Sequence, residues 1–343
     1  MALAMGALFT AAAPAAAQDG LVSTCAPLAG QARETCLTVA QAAQSAQPQL
    51  GILIAGGNPT LGTASTGGVR LGILPRVSAT ARLNLVGVRL PDIVENQVGG
   101  AVQAVNDAVG IPAPALGANV SVGLTNGFNL LPTVGGFGAI EALGSVTWLP
   151  FNALGVDGFD EETPDLAWGA GVRVGLVRES FTLPGVSVSL MYRSLGRVGF
   201  GDVCRGVEVT PENGGFCAGE GDVGEFHFDL SDWSARAAVS KRLLGLGLTA
   251  GIGYDSFNSD VDFAGRFQDS QGATRIFRSG ERSLDSKRWS AFLDGSYTLL
   301  VASLVGEIGW MQGGDAIDGF PSASDFDPGD GNFFGSLGFR ISL

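Results

Sequence analysis

The chain has 343 residues, a formal net charge of −13, 53 Gly, four Cys and a single His. The acidity argues against a nucleic-acid partner, because phosphate binding needs a basic surface. Charged residues make up only 15%, against about 25% in an ordinary soluble domain. Even so, no apolar run reaches the roughly 18 residues of a helical membrane span.

Residues 1–17 (MALAMGALFTAAAPAAA) are small and apolar and end in an A-x-A site before Gln18, the pattern of a cleaved export signal. From Pro27 to Gln47 the residues Leu28, Ala32, Cys36, Val39 and Ala43 recur at helical spacing, with Pro48 as the expected stop. Cys25 and Cys36 suit a disulfide in an oxidising compartment. In one unbroken helix they would stand about 16 Å apart, so pairing requires a break near Gly30. The run Gly56-Gly57-Asn58-Pro59 marks a turn before a Thr/Ser-rich stretch. Residues 18–68 therefore read as a periplasmic segment or an internal plug.

Alternation begins at Val69 and continues through Leu71, Ile73, Val77, Ala79, Ala81, Leu83 and Leu85. Pro75 interrupts it, so the spacing predicts a strand over 76–90 with an edge extension before it. Asp92 to Gly110 switches to helical period (Val94, Val98, Ala101, Val102, Val105 and Val109), which predicts a helix serving as lid, plug or docking element. Further strands are predicted over 117–125, 136–149, 166–178, 185–199, 224–241, 245–257, 286–299, 302–312 and 332–343, ten in all. Pairing 50–56 with 67–74 as a hairpin would make twelve. Connections alternate between short and long, as in outer-membrane barrels with periplasmic turns and external loops.

Trp148, Trp168, Trp289 and Trp310 fall on the apolar face near the predicted outer strand ends, joined by Tyr254. Trp233 lies mid-strand, and Tyr297 and Phe339 mark the inner end. Aromatic rings favour the two membrane interfaces. The opposite face collects Arg82, Glu141, Arg173, Arg193, Arg236, Asp294, Glu307 and Arg340. Facing lipid, an Arg near the midplane costs about 2–4 kcal/mol, so these residues belong in the lumen. There they form either a filter for solutes or a set of ion pairs that fills a narrow barrel.

Cys204 and Cys217 flank a Gly/Glu-rich segment and fit a loop-closing disulfide worth about 3 kcal/mol. The acidic runs Asp255 to Asp262 and Asp325 to Asp330 miss the calcium-loop template and read as solvated loop tips. Arg275 to Arg288 is the basic cluster, placed where it meets lipopolysaccharide phosphates or serves as a mixed-charge loop. His227 has Asp229 nearby, but no nucleophile-elbow motif, phosphate loop, dinucleotide fingerprint or zinc pattern occurs. No enzyme activity, metal or cofactor is expected.

The segment Phe333 to Leu343 alternates strictly, with Phe333, Leu337, Phe339, Ile341 and Leu343 on one face. It resembles the C-terminal assembly signal of Gram-negative outer-membrane β-barrel proteins, with Leu343 where that signal usually carries Phe or Trp. The resemblance implies insertion by the barrel-assembly machinery into a membrane of lipid and lipopolysaccharide. The helical N-terminal piece and Asn58-Pro59 resemble the hatch region of the long-chain fatty-acid transporter family, which implies an internal gate. The expectation is an all-β, transmembrane, antiparallel up-and-down barrel over 69–343 with a short N-terminal helical segment. Its function is passive transport of small or apolar solutes, or else a non-transporting structural or surface-binding role.

Overall fold

Ten strands meet edge to edge because each carries two-residue alternation long enough to cross a bilayer. They are β1 (Val77–Pro91), β2 (Ala108–Gly123), β3 (Ala139–Trp148), β4 (Leu166–Val177) and β5 (Gly185–Phe200). The second half comprises β6 (Val223–Leu243), β7 (Leu246–Gln268), β8 (Arg282–Leu299), β9 (Ala302–Met311) and β10 (Asn332–Ser342). The computed structural model describes residues 49–67, 69–70, 74–91, 97–98, 101–102, 108–129, 135–150, 166–200, 223–268, 274–278, 280–313 and 329–343, with single residues 23, 25, 26, 33, 40, 44 and 47. Every strand pairs antiparallel with the next. β10 returns to β1 from Phe334↔Val86 to Ser342↔Ser78 and closes the ring. The architecture is a closed ten-stranded antiparallel barrel of the outer-membrane type.

The outer wall shows where lipid lies. Outward positions read Leu83 and Leu85 on β1, Trp168, Ala170 and Val172 on β4, and Leu248, Ala250 and Ile252 on β7, with Phe333, Leu337 and Phe339 on β10. The large side chains among them are exposed, Leu85 at 49% and Leu337 at 63%. A belt of rings caps this band. Trp168 and Tyr192 meet edge-on at 5.7 Å, Tyr192 and Trp233 at 5.1 Å, and Tyr254 and Trp289 at 5.1 Å. Trp310 lies opposite Phe333.

Trp233 is mid-strand only because β6 and β7 run 21 and 23 residues. Their register pairs Trp233 with Tyr192, so it sits at the same level as the other rings. Beyond the belt, outward positions turn polar (Asp229, Ser231, Asn258, Asp260, Ser283, Asp285). Inward positions turn apolar there: Leu230, Phe257, Val261 and Leu284 are buried. The wall thus inverts its polarity at the belt, apolar outside where lipid covers it and apolar inside where water does.

Several sequence expectations are corrected. Residues 49–55 are helical, so the helix does not stop at Pro48, and the hairpin of 50–56 with 67–74 does not form. Val69–Arg70 pairs with Leu74–Pro75 as a separate small ladder rather than extending β1. The helix expected over 92–109 is absent among the described residues. Gln97–Val98 pairs with Ala101–Val102, and β2 begins at Ala108. The early part of β2 pairs only with β1, so Pro112 and Pro114 occupy an edge where a missing N–H is tolerated. Asp255 to Asp262 is strand, not loop tip. Most of Arg275 to Arg288 is strand as well, in Thr274–Arg278 and the start of β8. Cys25 is buried. Cys36, Cys204, Cys217 and the export signal lie outside the described residues.

Candidate functional site: a plugged, charge-lined lumen

After Gln49 the helix of residues 49–55 is apolar on all sides, and Leu50, Ile52, Leu53 and Ile54 are at most 2% exposed. A segment inside a closed barrel finds no free strand edge, so it must satisfy its backbone internally, and a helix does so. Its end is set by Gly56, whose φ of 58° places it in the left-handed region. A Cβ there would also run into the Arg82 guanidinium. Arg236 Nη2 donates to Gly56 O at 3.2 Å and its Nε to Gly57 O at 3.4 Å. A cation thereby meets the negative end of the helix.

The turn beyond the helix is fastened to most of the ring. Asn58 N donates to Glu307 Oε2 and its side-chain Nδ2 to Asp294 Oδ2, both at 2.7 Å. Gly62 N donates to the same Asp294 oxygen at 2.8 Å. Arg82 Nη1 donates to Asn58 O at 3.3 Å, Asn119 Nδ2 to Pro59 O at 3.2 Å and Arg340 Nη1 to Leu61 O at 2.6 Å. Ala64 N donates to Ser240 Oγ at 3.0 Å. Residues 56–67 thereby touch β1, β2, β3, β4, β6, β8, β9 and β10.

All eight charges that strand phase placed inward are buried, with exposures from 0% for Asp294 to 6% for Arg340. Arg173 Nε donates to Glu141 Oε2 at 2.7 Å, while its Nη atoms reach Thr60 Oγ1, Thr63 O and Ser65 O. Arg193 Nη1 pairs with Asp232 Oδ2 at 3.1 Å and Arg236 Nη2 with Asp255 Oδ1 at 2.7 Å. Asp294 and Glu307 face each other across the β8–β9 ladder with Asn58 bridging them. Asp232, Asp255 and Arg288 are lumen charges that the sequence reading passed over, although each shares its strand's inward phase.

Inward glycines make room for these long side chains. A Cβ at Gly117 would crowd Arg82, at Gly169 Arg193, at Gly253 Arg236 and at Gly338 Leu61. Where the segment of 56–67 approaches the short-turn end, a cavity of about 270 Å³ remains beneath it, lined chiefly by hydroxyls and arginines. His227 lies elsewhere, above the belt. Its Nδ1 is 3.7 Å from Asp262 Oδ2, and the other oxygen of that carboxylate, Oδ1, accepts from Arg197. Among the described residues no group of three or more His, Cys, Asp or Glu is placed to hold a metal.

By sequence, no family model and no curated protein matches the chain. By structure it is similar to the translocator domain of autotransporter NalP from Neisseria meningitidis, at 11% identity and a TM-score of 0.38, covering 78% of this chain and 88% of that one. It is also similar to the toluene transporter TodX of Pseudomonas putida, at 10% identity and TM-score 0.33, over 84% and 96% of the two chains. Neisserial surface protein A matches at 9% identity and TM-score 0.28, over 78% and 97%. What they share with this chain is the outer-membrane barrel, on which different functions are built.

Proposed function

We propose that this chain is a gated outer-membrane channel of a Gram-negative bacterium, passing small solutes, apolar ones included, when residues 49–67 shift in the lumen. One observation carries the reading. The bore is closed by a segment outside the wall ladder, held mainly through hydrogen bonds of the turn, while the wall around it is built of small residues. Barrels of about eight strands fill their interior with wall side chains alone. Here Ala113, Ala115, Ala167, Gly169, Gly171 and Gly338 line the bore instead, and the inserted segment supplies the bulk. The apolar inner surface above the belt, covered at Phe257 by the helix of 49–55, would give an apolar solute a place to leave water once that helix shifts.

The second reading is a non-transporting surface barrel. It is favoured by the closed pairs Arg173–Glu141, Arg193–Asp232 and Arg236–Asp255, which leave those three arginines matched by carboxylates. Conductance in a planar bilayer separates the two. The intact chain is expected to be silent or to flicker briefly, Asn58→Ala to flicker more often, and a chain lacking residues 18–66 to show stable steps. Silence in all three, with each shown to be folded by its resistance to unfolding in cold detergent, establishes the surface barrel.

A further inference from the structure

The cavity under the plug, at the short-turn end, has a charge unlike that of the rest of the chain. The chain holds 33 acidic residues against 20 Lys and Arg. Around this cavity stand Arg76, Arg173, Arg242 and Arg340 with one side-chain carboxylate, Glu141. Glu141 is already engaged by Arg173 and by Gly67 N. Arg242 has a carboxylate at its outer side, with Nη2 at 4.0 Å from Glu179 Oε2.

Arg340 is the residue without such relief. It is 6% exposed, and among the described residues no carboxylate lies within ion-pair distance of it. Its Nη1 donates to Leu61 O and its Nη2 to Ser303 Oγ at 3.5 Å, while its Nε has no partner. It lies within electrostatic reach of two like charges, Arg173 and Arg242, and of one carboxylate, Asp294, beyond ion-pair distance. Thr66 Oγ1, 4% exposed on the same cavity, also lacks a partner. A buried guanidinium with no carboxylate in contact, on the edge of a cavity rich in arginine, is costly as it stands. An oxyanion in the cavity would give Arg340 a close counter-charge.

We propose that this cavity binds a small oxyanion, a carboxylate or a phosphate, held by Arg340 with Thr66 donating to it. At about 270 Å³ it holds the ion with several waters, each taking about 30 Å³. The inference rests on the lumen geometry and on the plug being seated, not on transport.

The test is calorimetric titration of the intact refolded protein with inorganic phosphate and, separately, with acetate, at ionic strength fixed by chloride. Saturable binding of at least one is expected, and which one binds names the class. Arg340→Gln should weaken it by about tenfold or more, the usual scale for removing a charge-assisted bond. Arg340→Lys should fall between, and Arg197→Gln, on the outer surface, should titrate like the parent. If Arg340→Gln fails to fold, Thr66→Val carries the test, with an expected loss of about threefold. No saturable heat with either anion up to tens of millimolar overturns the proposal. So does unchanged binding in the variants that fold. Current is not part of this readout, so a barrel that binds but stays silent in all three forms keeps this site and refutes the channel, and a conducting barrel that does not bind does the reverse.

Discussion

Asn58 reaches Asp294 and Glu307 with its own amide groups while Arg82 donates to its carbonyl, and Thr60 donates back to its side-chain oxygen. Its neighbours at this level are buried charges, of which Asp294 Oδ1 and Arg82 Nε have no partner of their own. Removing one member of such a set costs more than the lost bond, because the remaining charge is stranded away from water. Arg173→Ala leaves Glu141 buried without its cation, and an expected loss of about 3–5 kcal/mol follows. Urea unfolding in micelles, read by tryptophan fluorescence, measures it. A loss no larger than that of exposed Arg197→Ala would mean that the Arg173–Glu141 pair contributes nothing. The inward placement of Arg173, Arg236 and Glu307 could be read from strand phase, since a two-residue period leaves each residue one face only. What they bond to could not. The contacts run between Asn58 and residues more than 200 positions away, and alternation carries no information at that range.

At the scale of elements, periodicity served well wherever both faces of a segment differ. It failed for residues 49–55, which after Gln49 are apolar all round and buried all round, so no face distinguishes helix from strand. The deciding fact is the absence of a free edge inside a closed ring, a property of the other ten strands. It failed again over 92–109, where valines four apart fit a helix, while Gln97–Val98 and Ala101–Val102 pair as strands. The β6–β7 hairpin turns through Leu244 and Gly245, both with positive φ, at 50° and 89°. A leucine held there is strained by about 1–2 kcal/mol and is fully exposed. Leu244→Gly removes that strain at some cost in unfolded-state entropy. It should therefore stabilise the barrel by about 0.5–1 kcal/mol in the same unfolding assay. A destabilised variant would show that the exposed leucine anchors in the membrane interface instead.

For the molecule as a whole, the inversion of polarity at the aromatic belt fixes how much of the wall stands in water. The register Val223↔Arg266 to Asp232↔Phe257 adds ten paired positions above the belt, about 33 Å of ladder at 3.3 Å per residue. If the short turns face the periplasm, Arg278→Cys on the raised sheet should react with a membrane-impermeant maleimide on intact cells, and Leu244→Cys only after permeabilisation. The reverse pattern would turn the barrel over and place the oxyanion cavity at the cell surface. The enclosure of residues 49–67 bears on something else, the order of events in assembly. The last ladder, β10 on β1, joins positions as far apart as Ser342 and Ser78, 264 residues along the chain. A ring that closed first would have to admit a folded helix through one of its mouths afterwards. Wrapping the sheet around a segment already in place avoids that passage. The β1–β10 ladder is then a clasp fastened last, and the plug is the mould on which its circumference is measured.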